Sequence, residues 1–148
     1  MNMNSIRKFF RLKTPEKLML LESIILLGFF RLILLIMPFK RIAPYLGQHM
    51  QESPMESRTE ELTVIKRISW AVQATSRRTF WKSKCLVQAL TAKFMLRRRH
   101  ISSTLYLGVA RDGNQSLIAH AWLRSGETTV TGAQARVDYS VVSVFADM

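Results

Sequence analysis

The segment LMLLESIILLGFFRLILLIMPF, residues 18–39, constrains the fold more than any other part of the chain, because so dense an apolar helix has to find cover. Its longest uncharged runs, Ser23 to Phe30 and Leu32 to Phe39, are each too short to cross a bilayer, and Arg31 between them would fall near the middle of any spanning frame. A spanning helix is therefore not expected. The basic start followed by an apolar run also imitates a secretory signal, yet Glu22 and Arg31 interrupt the run and no small-residue cleavage site follows. Thr14 suits an N-cap, Pro15 the first helical position and Pro38 the stop, which predicts one helix from about Pro15 to Met37. Three covers stay open for it: the rest of the chain, a partner protein, or a membrane surface contacted peripherally.

The 148 residues suit one modest domain with a helical appendage. The polar stretch QHMQESPMESRTEE reads as an exposed connection. It divides the chain into an N-terminal helical region with its linker, residues 1–56, and a second organised unit, residues 57–148. A single cysteine excludes an intrachain disulfide and the usual zinc spacings, and it points to a reducing compartment, the cytoplasm. No cofactor is expected. The net charge of +12 is scattered over RKFFRLK, SRR and LRRRH and matches no nucleic-acid module, so general attraction to acidic surfaces is the expectation.

In the second unit, Ser57 and Glu60 have capping-box spacing, and Leu62, Ile65, Ile68 and Val72 form an apolar stripe, which predicts a helix to about Arg78 with Trp70 in the core beside it. A further helix runs from Cys85 to about Arg99, with Leu86, Ala89, Leu90 and Phe94 on one broad face. The period then changes to alternation. STLYLGVA, the turn RDGN, SLIAHAWLR, the turn SG and ETTVTG read as an antiparallel meander of at least three strands. Helices packed on such a sheet make an α+β fold.

Two residues carry chemistry. Cys85 opens its helix, where free backbone N–H groups and the dipole favour an anion, and Lys82 and Lys84 add positive charge, so a thiolate would be stabilised. Buried packing is the competing explanation for a lone cysteine. His120 falls on the same side of its strand as Ile118 and Trp122, with Ala119 and Ala121 opposite. A single strand histidine is more often structural, but its small neighbours let another group pack close, and Trp122 can shield an ion pair from water. Asp112 belongs to the RDGN turn. His49, in the linker, and His100, at a helix end, read as surface residues.

The order of a helix-opening cysteine in CLVQALTAKFMLRRRHI, then LYLGVARDG, then AHAWLRSG resembles the transglutaminase-like cysteine peptidases. More specifically it is similar to the leader peptidase of lasso-peptide biosynthesis, the stand-alone C-terminal half of the split B protein, whose N-terminal helix also looks like LLESIILLGFFRLILLIMPFKRIA. The resemblance implies N-terminal helices plus a transglutaminase- or papain-like core, with the Cys-bearing helix packed on an antiparallel sheet. It implies Cys85 as nucleophile and His120 as base, with the Cys85 N–H as an oxyanion donor and a second donor sought in TFWKSK.

The third member departs from that pattern. Many relatives place an aspartate about a dozen residues past the histidine, whereas this chain reads VTGAQAR there. Asp138 is the preferred substitute, Glu127 the second, and a backbone carbonyl acting on His120 would leave a working dyad. The resemblance further implies a ribosomally made precursor peptide as substrate, a small leader-binding companion protein, and a separate lasso cyclase that joins the new core amine to an acidic side chain. Nucleic acid is not among the implied partners. A non-catalytic precursor-binding scaffold and another acyl-transfer enzyme are the alternatives.

Overall fold

The computed structural model of the chain describes residues 3–78, 84–133 and 138–148. A short helix, α1 (Met3–Arg11), precedes the apolar segment, which forms α2 (Thr14–Ile36), matching the expected span to within a residue at each end. Its cap differs from expectation. Thr14 is already helical, Lys13 stands before it in extended conformation, and the Glu16 carboxylate accepts the Lys13 N–H at 3.2 Å. A helical turn, α3 (Phe39–Ile42), and a 3-10 turn (Ala43–Tyr45) follow Pro38.

The polar stretch read as an exposed connection is mostly exposed, but it is anchored to the sheet at two points. Gln48–His49 form β1, and the buried Ser53 bonds through its N–H and hydroxyl to Thr104 Oγ1 at 2.8 and 2.7 Å. The Arg124 guanidinium clamps the same stretch by donating to Ser53 O at 2.9 Å and Pro54 O at 3.3 Å.

Helix α4 (Thr59–Ser76) keeps the expected stripe, with Ile65, Ile68 and Val72 fully buried. Its cap lies one residue later than the Ser57–Glu60 reading, with the Glu61 carboxylate accepting the Arg58 N–H at 3.2 Å. Trp70, expected in the core, is 43% exposed, because it sits outside the arc that Ile65, Ile68 and Val72 turn inward. Helix α5 (Cys85–Arg97) starts where expected, but burial is not confined to one broad face. Val87, Ala89, Leu90, Thr91, Ala92, Lys93, Met95 and Leu96 are all buried, and Phe94, expected inward, is exposed. The cause is its position: α5 lies on β2 (Ser103–Arg111), β3 (Leu117–Ser125) and β4 (Thr128–Thr131), while α2 and α4 pack on its other sides.

The expected meander, β2 to β4, gains a strand, β5 (Ser140–Asp147), that pairs with β2 and in turn carries β1. The sheet order is β1-β5-β2-β3-β4, all antiparallel. Alternation along β3 puts Ala121 and Leu123 into the core shared with α5. His120, Trp122 and Arg124 take the other side, where Trp122 stacks on Tyr106 at 5.4 Å and Arg124 donates to the Tyr106 hydroxyl at 2.9 Å.

Of the three covers left open for α2, the chain itself supplies one, on one face. Leu20, Ser23, Leu27 and Phe30 are buried, and the Ser23 and Thr75 hydroxyls bond at 2.7 Å, each satisfying the other inside the α2–α4 contact. The opposite face, from Leu18 to Ile36, stays exposed.

Candidate active site

Cys85 is the first residue of α5 and is half-buried. Lys84 precedes it in extended conformation, its side chain makes no capping bond, and the first turn of α5 contains no acid. The first intrahelical bond of the helix is Gln88 N–H to Lys84 O at 3.1 Å, so the N–H groups of Cys85, Leu86 and Val87 lie ahead of the ladder. Lys82 and the TFWKSK segment, where added charge and a second oxyanion donor were sought, lie outside the described residues except for Lys84.

His120 lies on the part of β3 that β4 leaves uncovered, since β4 pairs with β3 only from Ser125 to Leu123. Its ring is fixed from two sides. Tyr139 lies against it at 5.1 Å and Trp122 at 5.9 Å, and Nε2 is 2.9 Å from Gly132 O. A carbonyl can only accept, so Nε2 carries the proton and Nδ1 presents the lone pair of the neutral ring. The residue opposite His120 on β2 is Gly108, where a Cβ would come within 2.8 Å of Tyr139 Cβ and 2.9 Å of the Trp122 ring. A bare strand position is thus what admits the two aromatic walls.

Cys85 and His120 line one cavity of about 460 Å³, together with Arg77, Gln88, Gly132 and Tyr139. Arg77 adds a positive charge to its lining. An adjoining cavity holds Asp138, which is exposed, with His120, Trp122 and Gly132. Among the described residues no hydrogen bond joins Asp138 to His120. Glu127 is exposed in the turn beyond Ser125, itself five residues and about 16 Å along β3 from His120 at ~3.3 Å per residue, and it lines neither cavity.

The remaining ionisable candidates keep the plain roles read from sequence. Asp112 accepts the Asn114 and Ser116 N–H groups, each at 2.9 Å, and thereby builds the β2–β3 turn. His49 is exposed on β1 and bonds Ser143 Oγ at 2.8 Å. His100 is exposed at φ 56° and ends α5, with its N–H bonded to Arg97 O at 3.0 Å and Ile101 N–H to Leu96 O at 3.1 Å.

The Gly132 carbonyl is the backbone acceptor that the sequence allowed as an alternative to an acid on His120, but neither Gly132 nor Tyr139 was named from sequence as a member of this site. Gly132 lies twelve residues past His120, where the missing acid was sought; its φ of 81° is one that glycine adopts without strain. The glycine ending ETTVTG was the available mark.

Residues 33–144 match the family model described as the transglutaminase-like superfamily, about three quarters of the chain. Comparison with curated proteins and with solved structures gives no match.

Proposed function

The chain belongs to the transglutaminase-like superfamily, whose activities are those of cysteine peptidases and acyl-transfer enzymes, and from that premise we propose a leader peptidase of lasso-peptide maturation. The observation that carries the reading is the shared cavity: a thiol at the start of α5 opens onto the same space as an imidazole whose Nε2 is held by the Gly132 carbonyl. The specific substrate rests on the resemblance in CLVQALTAKFMLRRRHI and AHAW.

The chemistry follows from these groups. His120 Nδ1 takes the Cys85 proton as Sγ attacks the carbonyl carbon of the leader–core peptide bond. The oxyanion that forms lies at the start of α5, where the Cys85 N–H can donate to it. Collapse breaks the C–N bond, His120 returns the proton to the departing core amine, and the leader remains as a thioester on Cys85. Water, deprotonated by His120, then releases the leader carboxylate and restores the thiol. Gly132 O keeps the ring oriented throughout, and Asp138 adds negative charge beside the imidazolium. The companion protein presents the leader, and the cyclase consumes the freed amine.

The test is incubation of the chain with the precursor peptide and the leader-binding companion, read by mass spectrometry. One defined cut is expected from the parent. Cys85→Ala and His120→Ala should each lower the rate at least about 10⁴-fold while leaving precursor binding intact. Cleavage by Cys85→Ala at a near-parent rate would refute the mechanism, and joining of the acyl group to an amine in place of release would assign acyl transfer.

A further inference from the structure

The proposed reaction leaves the outer face of α2 unused. Leu18, Leu21, Ile25, Phe29, Leu32 and Ile36 follow one another along it at helical spacing, each more than half exposed. A continuous band of this kind differs from the single apolar residues scattered over an ordinary surface. Helix α1 has the same plan on a smaller scale: Met3, Ile6, Phe9 and Phe10 occupy one arc, Arg7, Lys8 and Arg11 the other, and none of its residues is buried. Lys17 ties the two helices together, donating to Phe10 O at 3.2 Å with its ammonium 5.9 and 5.8 Å from the Phe9 and Phe10 rings. Lys40 and Arg41 stand at the far end of the band. The acids of this region are engaged elsewhere, Glu16 on the Lys13 N–H and Glu22 on Arg98 and Arg99.

The geometry points to a membrane surface rich in anionic phospholipid as what covers this face, with α1 and the outer side of α2 lying at the boundary between headgroups and acyl chains. Charge complementarity selects that occupant. Two copies of a chain of net charge +12 would bring their α1 cations together, whereas lipid phosphates would neutralise them. A spanning α2 conflicts with its inner face, because Leu27 belongs to the core and the Ser23–Thr75 and Glu22–Arg99 contacts would open into hydrocarbon. The inference does not depend on the leader-peptidase reading, and its test measures binding, not cleavage.

The full chain is floated with vesicles of phosphatidylcholine and phosphatidylglycerol in equal parts, and with phosphatidylcholine alone. Binding to the mixed vesicles is expected, at least about tenfold tighter than to phosphatidylcholine, and to weaken with added salt. Combining Arg7→Gln, Lys8→Gln and Arg11→Gln should lower the partition coefficient roughly a hundredfold, at about fivefold per cation. These side chains are exposed, so the variant should fold, and its near-ultraviolet circular dichroism checks that. Ile25→Gln with Leu32→Gln should weaken binding to both vesicle types. Absent binding to mixed vesicles, equal binding to both types, or a triple variant that binds like the parent would each overturn the proposal. So would resistance to alkaline extraction, which marks a spanning helix, or a dimer abolished by Ile25→Gln with Leu32→Gln, which marks a second copy as the cover.

Discussion

The two ends of α5 are treated in opposite ways by the rest of the molecule. The C-terminal end is closed by charge: Lys93 pairs with Asp147 at 3.0 Å, Arg97 holds the same carboxylate through two bonds of 3.0 and 2.8 Å, and Arg98 and Arg99 reach Glu22 on α2 at 2.8 and 2.7 Å. Those cations also suit the negative end of the helix dipole. The N-terminal end lacks an acid in its first turn, whereas α2 and α4 use Glu16 and Glu61 there to accept a backbone N–H. An acid beside Cys85 would repel both a thiolate and an oxyanion, so its absence fits the site as much as the presence of the thiol does.

Substitutions at the two ends should differ in kind. Cys85→Ala should eliminate cleavage yet change stability by less than about 1 kcal/mol, because the side chain is small and half-buried. Asp147→Ala should do the reverse. It strands the ammonium of Lys93, only 2% exposed, and should cost about 3 kcal/mol, roughly a hundredfold in the folding equilibrium, with the rate per folded molecule unchanged. Urea unfolding and single-turnover cleavage on both variants decide the matter. A Cys85→Ala chain destabilised as much as Asp147→Ala would make Cys85 a packing residue.

A smaller effect is expected at the proposed catalytic end. Adding a Cβ at Gly132 puts it 2.6 Å from Trp122 Cβ and 2.8 Å from Ala121 O at a φ of 81°, so the backbone must shift and carry its carbonyl away from His120 Nε2. Gly132→Ala should lower kcat about a hundredfold, the scale of a ~1 Å misplacement. Asp138→Asn should lower it less than about tenfold, since no bond joins that carboxylate to the ring. The opposite ranking would make Asp138 the group that orients His120.

How much of this was legible in the sequence depends on how local each cause is. The start of α5, the alternation of β3 and the span of α2 are local patterns, and they were readable. The caps of α2 and α4 were misplaced by one residue, because Thr14 and Ser57 have the side chains that usually cap, while the bonds observed come from Glu16 and Glu61 to the preceding backbone. Strand β5 has no hairpin turn to announce it; its partner β2 lies some 40 residues earlier. Lys93 reads as a solvated helix cation until Asp147, far along the chain, is brought beneath it. A backbone carbonyl on His120 was among the readings the sequence allowed, and Gly132 supplies it; which residue would do so is set by how β4 ends beside β3, which no side chain announces.

The smallest effect concerns Lys93 itself and tests whether the closed end of α5 carries a hidden cost. Burial lowers the Lys93 pKa below its ordinary 10.5; the Asp147 charge and hydrogen bond pull it upward, and Arg97 adds to the lowering. The unfolded chain therefore holds this proton more tightly. Between the lowered folded value and 10.5 the unfolded state binds more protons, and this group's contribution makes stability rise with pH through that window. Below the window both states are charged and the folded one bears the desolvation; above 10.5 neither is charged and the cost is gone. Lys93→Met removes the titrating group yet leaves Asp147 on Arg97, so at neutral pH it should change stability by no more than about 1 kcal/mol, in either direction. The measurement is the difference between parent and variant urea midpoints from neutral pH up to 10.5. The parent should gain on Lys93→Met as pH rises through the alkaline range, because only the parent sheds a penalised charge. Parallel curves would mean that Asp147 compensates the burial in full, and that the closed end of α5 holds a buried cation without cost.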